Sequence, residues 1–346
     1  MSIPLSVLDL APIAKGQTPG ESIAASVALA QRAEQAGYRR VWYAEHHNMP
    51  TIASSATSVL IAHVGAHTSS IRLGAGGVML PNHSPLTIAE QFGTLEAVHP
   101  GRIDLGLGRA PGSDQNTTYA LRRDPRSADR FPQDVLELQG YLAGETRVPG
   151  VDAVPGKGSN VPLYILGSSM FGATLAAALG LPYAFASHFA PAMLEPAVEA
   201  YRREFTPSEQ LDRPYVIAGV NAIAADSREA AEAAYAAVRR TLAVGLFGRG
   251  RQLSDDEAQL LLDGGAGRHV DTMLTHTAVG TPAEVRGYLT DFARAADADE
   301  LIVAHQFPGV EGRLRSVELT AEAMVEGPPP PHPSRARGGA LEGAAP

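Results

Sequence analysis

Short apolar segments alternate with amphipathic segments along the chain, and this alternation constrains the fold more than any other feature. Turn residues bound each apolar segment, as is typical of buried strands. The eight predicted strands are residues 3–8, 40–43, 71–76, 102–107, 163–166, 183–187, 215–222 and 300–304. Because a helical segment follows each strand except the last, neighbouring strands should run parallel. Eight such units in 346 residues predict an α/β protein, a (β/α)8 TIM barrel, with a doubly wound sheet as the alternative.

Local signals mark the ends of helices and of the domain. TPGE at 18–21 and TPAE at 281–284 each place a capping threonine before a proline and a glutamate, the pattern of a capping box. Residues 243–278 are rich in glycine and charge, and we predict an irregular insertion there, before the last βα unit. Residues 327–346 contain six prolines, which predicts a disordered tail. The folded domain should therefore be residues 1–326.

Composition excludes several classes of function. The formal net charge of −9 and the pI near 5.7 argue against a nucleic-acid or anionic-membrane surface, which needs clustered lysine and arginine. No apolar run approaches the roughly 20 residues that span a bilayer, and residues 1–10 lack a signal-peptide pattern. The absence of cysteine excludes disulfides, thiolate metal sites and cysteine nucleophiles. We therefore expect a cytoplasmic protein with no nucleic-acid and no membrane partner.

The segment VWYAEHHN, residues 41–48, carries the first candidates for chemistry. Ligands of a TIM barrel bind at the C-terminal ends of the strands, where His46 and His47 would lie. Successive side chains point to opposite sides, so one of the two imidazoles should face the pocket. The alternative is a polar strand end whose histidines only satisfy hydrogen bonds.

The third predicted strand contains LGAGGVMLP, residues 73–81, in which Gly74, Gly76 and Gly77 lie close together. Glycine weakens a strand unless a bulge, an unusual peptide or the close approach of another group requires it. A flat ligand lying on bare backbone and a tight packing position in the barrel are the two explanations. The spacing does not fit a dinucleotide fingerprint, because the strand continues after the glycines.

Two further strand ends carry groups suited to an anion. Arg109 follows the fourth strand and offers a planar charged fork to a phosphate or an electron-rich ring carbonyl. A salt bridge to Asp104 or Asp114 is the alternative. After the fifth strand, residues 166–174 read LGSSMFGAT and open a helix whose N-terminus could hold a phosphate. The groups available there are the hydroxyls of Ser168 and Ser169 and the amides of Met170 and Phe171.

Other signals are less specific. His63 and His67 lie four apart on a predicted helix, which is a metal-ligand spacing, but no third ligand is evident. We therefore predict no metal site. Asp9, Met79 and residues near His188 are expected to line the pocket.

Taken together and in this order, the motifs resemble the bacterial luciferase-like flavin monooxygenase superfamily, and within it the luciferase alpha-chain-like group. The resemblance extends over residues 3–324, with residues 243–276 matching least. It is carried by VWYAEHHN, SSIRLGAGGVMLPNHSPLTIAEQFGTLEAVHPGRIDLGLGRAPG, LYILGSSMFGATLAAALGLPYAFASHF and ELIVAHQFPGVEGRLRSVELTAE. It implies a TIM barrel that binds reduced FMN (FMNH2), forms a flavin C4a-hydroperoxide with O2, and oxygenates a small organic substrate such as an aldehyde or ketone.

The resemblance also implies roles for individual residues. His46 corresponds to an acid/base that stabilises the peroxyflavin, and Arg109 corresponds to an arginine that contacts the flavin. The Gly76-Gly77 peptide corresponds to a non-proline cis peptide lying against the isoalloxazine. The segment that holds the ring edge and the phosphate corresponds to Gly167, Ser168, Ser169 and Met170.

The implied partners are a small-molecule substrate, O2 and a separate NAD(P)H-dependent flavin reductase, and the implied assembly is a homodimer. Two other activities stay open: hydride transfer with the deazaflavin F420 on the same barrel, and flavin binding without catalysis. Gly108 stands where luciferase alpha chains carry a reactive cysteine, so we infer no light emission. Within residues 243–278, Arg249, Arg251 and Arg268 could belong to a lid over an anionic cofactor.

Overall fold

The computed structural model describes residues 3–110, 115–248, 251 and 253–324. The predicted tail, residues 327–346, lies outside this part of the chain. The strands within the described residues are β1 (Leu5–Asp9), β2 (Arg40–Tyr43), β3 (Arg72–Met79), β4 (Ile103–Gly108), β5 (Leu163–Gly167), β6 (Tyr183–Phe185), β7 (Val216–Ala224), β8 (Thr277–Gly280) and β9 (Glu300–His305). All except β8 close a parallel barrel in the order β6-β5-β4-β3-β2-β1-β9-β7, with β6 paired to β7. The predicted (β/α)8 barrel is confirmed.

Helices surround the barrel. Within the described residues they are α1 (Pro19–Gln35), α2 (Thr57–Gly65), α3 (Pro85–Val98), α4 (Gln115–Ala120), α5 (Phe131–Ala143), α6 (Met170–Leu179), α7 (Leu194–Glu204), α8 (Arg228–Phe247), α9 (Asp255–Leu261), α10 (Gly267–Met273), α11 (Pro282–Ala295) and α12 (Val310–Met324). Both predicted caps form: the Thr18 amide donates to the Glu21 carboxylate at 2.7 Å, and the Thr281 amide donates to Glu284 at 2.9 Å. In the described part of the chain, no helix has the length and apolar character needed to cross a membrane.

The insertion before the last βα unit is more regular than predicted. Helix α8 continues to Phe247, and α9 and α10 follow, joined by a π-helical turn at Leu262–Ala266. Strand β8, which the sequence reading missed, pairs with the final residues of β7, Asn221–Ala224. Its sequence, TAVG, lacks the run of large apolar residues that marks the equally short β2, RVWY. Strand β7 has room for this extra partner because it is nine residues long.

Strand side chains alternate between an outer core under the helices and an inner core inside the barrel. On β1, Val7 belongs to the outer core and Leu8 to the inner core. Asp9 therefore points outward, and its carboxylate accepts hydrogen bonds from Ser26 Oγ at 2.6 Å and Arg313 Nη1 at 3.2 Å. The expectation that Asp9 lines the pocket is wrong, because the period of two places it on the same side as Val7.

A buried ion network closes the N-terminal end of the barrel. Nitrogens of Arg40 lie 2.8 Å from a carboxylate oxygen of Asp104 and 2.9 Å from one of Glu300, and none of these side chains is exposed. Trp42 Nε1 also donates to Asp104, at 3.1 Å. An unpaired charge inside a protein costs several kcal/mol, so this network has to stay complete. The ligand site should therefore lie at the opposite, C-terminal end.

Candidate active site

Two histidines lie at opposite sides of the C-terminal end of the barrel. His46 follows β2 and His188 follows β6, and these strands are diametrically opposed in the closed ring. Nδ1 of each ring is buried and has no hydrogen-bond partner among the described residues. Buried polar atoms normally have partners. The orphaned Nδ1 of His46, with His188 on the opposite side of the same barrel end, therefore indicates a ligand site between these strands.

His46 is the predicted acid/base, and its surroundings favour the neutral ring. Burial lowers its pKa below the ordinary value, and His47 acts in the same direction, whereas the Ala44 carbonyl and the Glu45 carboxylate oppose the shift. A neutral imidazole accepts a proton at one nitrogen and donates at the other. The structure places His46 at the ligand face, and its catalytic role stays a prediction.

His47 contacts Glu45. Its Nε2 donates to Glu45 Oε1 at 2.7 Å, and His83 Nε2 donates to the same oxygen at 2.8 Å. The amide of Met79 donates to the second oxygen of Glu45 at 3.0 Å. Burial by itself would raise the pKa of Glu45, but the hydrogen bonds from His83, His47 and Met79 bring it below its ordinary value. Glu45 is therefore an ionised anchor that joins the ends of β2 and β3.

The cluster of Glu45, His47 and His83 also brings its ligand atoms within 4.8 Å of one another, a spacing that a metal ion could bridge. Both imidazoles, however, contact the carboxylate at ordinary hydrogen-bond distance. We assign the cluster to fixing the backbone on either side of His46. His83 lies in the quoted motif but was not predicted as a site residue. It directly follows the 3-10 turn Leu80–Asn82, and that turn was not predicted.

The glycines of β3 are required by packing. A Cβ at Gly76 would lie 2.9 Å from Cβ of Trp42, and one at Gly77 would lie 2.7 Å from the carbonyl oxygen of Gly106. A Cβ at Gly74 would likewise meet Trp42, at 2.8 Å. Tight packing thus accounts for all three glycines, and a flat ligand on the backbone of Gly76 and Gly77 stays a prediction. The predicted cis peptide at Gly76-Gly77 is present.

Arg109 and the turn after β5 come together as one surface. The guanidinium carbon of Arg109 lies over the Phe171 ring, 4.0 Å from its centroid. Phe171 is in the first turn of α6, so the stack places a permanent positive charge beside a helix N-terminus. Of the alternative salt-bridge partners, Asp104 binds Arg40 at the other end of the barrel, and Asp114 lies outside the described residues.

The N-terminus of α6 has the form of an anion site. Gly167 ends β5, Ser168 is half-buried, and Ser169 is the exposed N-cap residue in an extended conformation. Among the described residues, no hydrogen bond runs from the helix amides to the Ser169 side chain. The first amides of a helix, here beginning at Met170, have no partner within the helix. Amides, hydroxyls and Arg109 can therefore act together on a phosphate.

The residues fit a flat anionic cofactor. Of the described residues, a Cβ added at Gly108 would meet only the carbonyl oxygen of Val78, at 3.8 Å, so within this part of the chain space remains beside Arg109. The orphaned Nδ1 of His46 lies at the same end of the barrel. An open space, an unsatisfied imidazole and a positive helix terminus match a ring system that carries a phosphate.

The residues suggested for a lid lie in different places. Arg251 is 3.9 Å from Glu257, and Arg268 lines an open surface cavity together with Arg239. Arg249 lies outside the described residues. A lid stays a prediction.

The model of the luciferase-like monooxygenase family matches residues 3–299. The chain belongs to this family. The chain is 47% identical over 328 residues to the protein named luciferase-like monooxygenase in Escherichia coli (strain K12), covering 94% of this chain and 98% of that protein. It is also similar to the crystal structure of apo-MsnO8, with a TM-score of 0.85, 37% identity and coverage of 93% of this chain and 98% of that one.

Two solved structures of lower identity contain different cofactors. The oxygenating constituent of 3,6-diketocamphane monooxygenase from Pseudomonas putida, in complex with FMN, has a TM-score of 0.70 at 15% identity, over 94% of this chain and 98% of that one. An F420-dependent secondary alcohol dehydrogenase with an F420-acetone adduct has the same TM-score at 17% identity, over 94% of this chain and 100% of that one. At these low identities, the similarity between this chain and the two structures concerns the fold alone.

Proposed function

We propose that this protein uses reduced FMN and O2 to oxygenate a small organic substrate. The observation that carries the proposal is the Arg109–Phe171 stack at the N-terminus of α6, on the same end of the barrel as the neutral His46. An anion site beside an uncharged imidazole is what a phosphorylated redox cofactor and a proton-transfer group require.

Each part of the site has a task in this proposal. Arg109 and the turn formed by Gly167, Ser168, Ser169 and Met170 bind the phosphate and the ring edge. The backbone of Gly76 and Gly77 lies against the ring face. Bound FMN, once reduced, supplies the electrons that O2 needs to react. His46 exchanges a proton at Nδ1, the nitrogen that has no protein partner among the described residues.

Two partners belong to the proposal. The sequence contains no dinucleotide fingerprint, so a separate NAD(P)H:flavin reductase would supply the reduced cofactor. A homodimer is also proposed, supported by Val59 and Val98, which are 68% and 64% exposed on the neighbouring helices α2 and α3. Exposed apolar side chains on adjacent helices are suited to burial between two copies.

F420-dependent hydride transfer is the second candidate, because the similar F420-dependent alcohol dehydrogenase holds its cofactor on this fold. The same positive surface would bind the F420 phosphate. Titration of the protein with FMN and with F420, followed by fluorescence, separates the two candidates. Tighter binding of F420 than of FMN would favour hydride transfer.

Stopped-flow absorbance tests the proposed oxygenase directly. The protein is mixed anaerobically with reduced FMN and then with O2. We expect a transient protein-bound absorbance that differs from both reduced and oxidised FMN. Immediate release of oxidised FMN and hydrogen peroxide, with no bound species, would contradict an oxygenase. Under that outcome a flavin-binding protein without catalysis becomes the better explanation.

A further inference from the structure

We propose that His188 is a second ligand-contacting histidine, which donates a hydrogen bond to an uncharged oxygen of the organic substrate. This inference rests on the proposed function, because it places the substrate between His188 and the reacting centre near His46. It assigns a residue and a substrate class, an uncharged carbonyl or hydroxyl compound, to the side of the barrel opposite His46.

The backbone that carries His188 is tied to the barrel wall. Asn221 Nδ2 donates to the carbonyl oxygen of His188 at 2.6 Å, and Ser187 Oγ donates to the carbonyl oxygen of Gly219 at 2.6 Å. Asn221 and Gly219 both belong to β7. Because His188 and its neighbour Ser187 are each hydrogen-bonded to β7, the backbone at this position is fixed, as a binding group needs.

A glycine makes room for the imidazole. A Cβ at Gly219 would overlap Nδ1 of His188, and it would lie 3.4 Å from Cε1 of the same ring. The ring is thus packed on bare backbone with Nδ1 innermost, whereas Nε2 lies farther from Gly219. His188 as a whole is half-buried although Nδ1 is fully buried, so its exposed part lies on another side of the ring.

The tautomer follows from this burial. Nδ1 has no hydrogen-bond partner among the described residues, and a buried N–H without an acceptor is rarer and costlier than a buried acceptor without a donor. The proton of the neutral ring is therefore on Nε2. His188 presents an N–H donor from the side of the ring that is not packed on Gly219.

The donor is uncharged. Burial, and then repulsion by His46 when that ring is protonated, lower the pKa of His188 to about 4. The buried charges of the inner barrel, Arg40, Asp104 and Glu300, are paired with one another at the far end. Among the described residues, a substrate carboxylate would therefore meet no permanent counter-charge at His188, whereas a carbonyl or hydroxyl oxygen would find a matching donor.

The test uses the full chain labelled with 15N-histidine and loaded with oxidised FMN, so that no turnover occurs. The probes are cyclohexanone, cyclohexanol and cyclohexanecarboxylate, which share one ring and differ in the polar group. We expect the first two to shift the Nε2 resonance of His188, assigned through His188→Gln, and the carboxylate not to shift it. The exposed His67 should not respond to any probe.

Binding constants of cyclohexanone for variants give a second readout. Loss of one neutral hydrogen bond corresponds to about a five-fold weaker affinity, and we expect this for His188→Phe, which keeps a ring but has no donor. Gly219→Ala keeps the histidine but displaces its ring, and should weaken binding by a similar factor. His67→Phe is the matched control and should leave the affinity unchanged, and all three variants should bind FMN as the wild type does.

The outcomes separate this inference from the proposed function. A protein that binds no FMN would count against the proposed function. Normal FMN binding with no shift of His188 by either uncharged probe, or with a larger shift by the carboxylate, would overturn the role of His188 alone. If Gly219→Ala fails to fold, the His188→Phe affinity and the probe shifts still decide.

Discussion

The guanidinium of Arg109 stacks on the ring of Phe171, with 4.0 Å between its central carbon and the ring centroid. The contact joins the end of β4 to the first turn of α6, two elements that are distant in the sequence. It holds the exposed arginine where its charge adds to the field of the helix N-terminus.

Replacing Phe171 by Ala should weaken FMN binding by about five-fold, because a cation–π contact at a partly exposed site contributes about 1 kcal/mol. Fluorescence titration of FMN measures the effect. Arg109→Ala should weaken FMN binding more than Phe171→Ala does, because the positive charge itself is lost. Phe247→Ala, at the end of α8, is the control for removing a partly exposed phenyl ring. An unchanged FMN affinity in Phe171→Ala would show that the stack does not position Arg109.

His46 and His47 should respond differently to replacement by Ala. Loss of a general acid/base slows a reaction by roughly 100-fold to 10,000-fold, so His46→Ala should reduce turnover strongly while FMN affinity stays near wild type. His47→Ala removes a hydrogen bond to the buried Glu45 and should lower the stability of the fold by about 1–3 kcal/mol. Turnover, FMN affinity and urea unfolding of both variants are the measurements.

The opposite pattern for the two histidines would mean that His47 is the catalytic group. Equal losses of turnover and FMN binding in His46→Ala would mean that His46 only supports the structure of the site.

The stability of the protein should fall in mild acid because of His305. Burial, and then the charge of Arg313, lower the pKa of His305 to about 3, while in the unfolded chain it titrates near 6.5. The unfolded state therefore binds the proton first, and stability is lost as the pH falls below about 6.5. At roughly 1.4 kcal/mol per pH unit, this residue alone should make the protein about 2 kcal/mol less stable at pH 5 than at pH 7.

Urea unfolding at several pH values tests this titration. His305→Gln should lower stability at pH 7, because the two ring nitrogens of His305 are hydrogen-bonded to the hydroxyls of Tyr38 and Ser316, at 3.3 and 3.0 Å. The same variant should flatten the dependence of stability on pH. His67→Gln, at an exposed site, should leave that dependence unchanged. An unaltered slope in His305→Gln would place the acid sensitivity elsewhere.

Two glycine-to-alanine changes should alter the stability of the protein in opposite directions. Gly76→Ala would bring a methyl group within 2.9 Å of Trp42, and such overpacking typically costs about 1–3 kcal/mol. Gly287→Ala, in the middle of α11, meets no atom of the described residues within 4 Å and should stabilise the helix by about 0.5–1 kcal/mol. Thermal and urea unfolding of the two variants measure the difference, and a stable Gly76→Ala protein would contradict the packing explanation.

Local patterns predicted much of this protein. The barrel followed from the alternation of strands and helices, and the caps of α1 and α11 followed from four residues each. These predictions succeeded because hydrogen bonds within a helix turn and the period of side chains depend on near neighbours in the chain. The short β8 is the exception, since its sequence, TAVG, lacks a run of large apolar residues.

Local sequence patterns were enough to predict the eight barrel strands, their order and which strand ends carry polar groups, but the partners of those groups depended on the tertiary structure. Glu45 binds His47 and His83, which leaves His46 at the ligand face. Likewise, only the fold packs His188 against Gly219. Hydrogen bonding and burial of a side chain depend on distances between residues far apart in the chain, and those distances exist only after the barrel has closed.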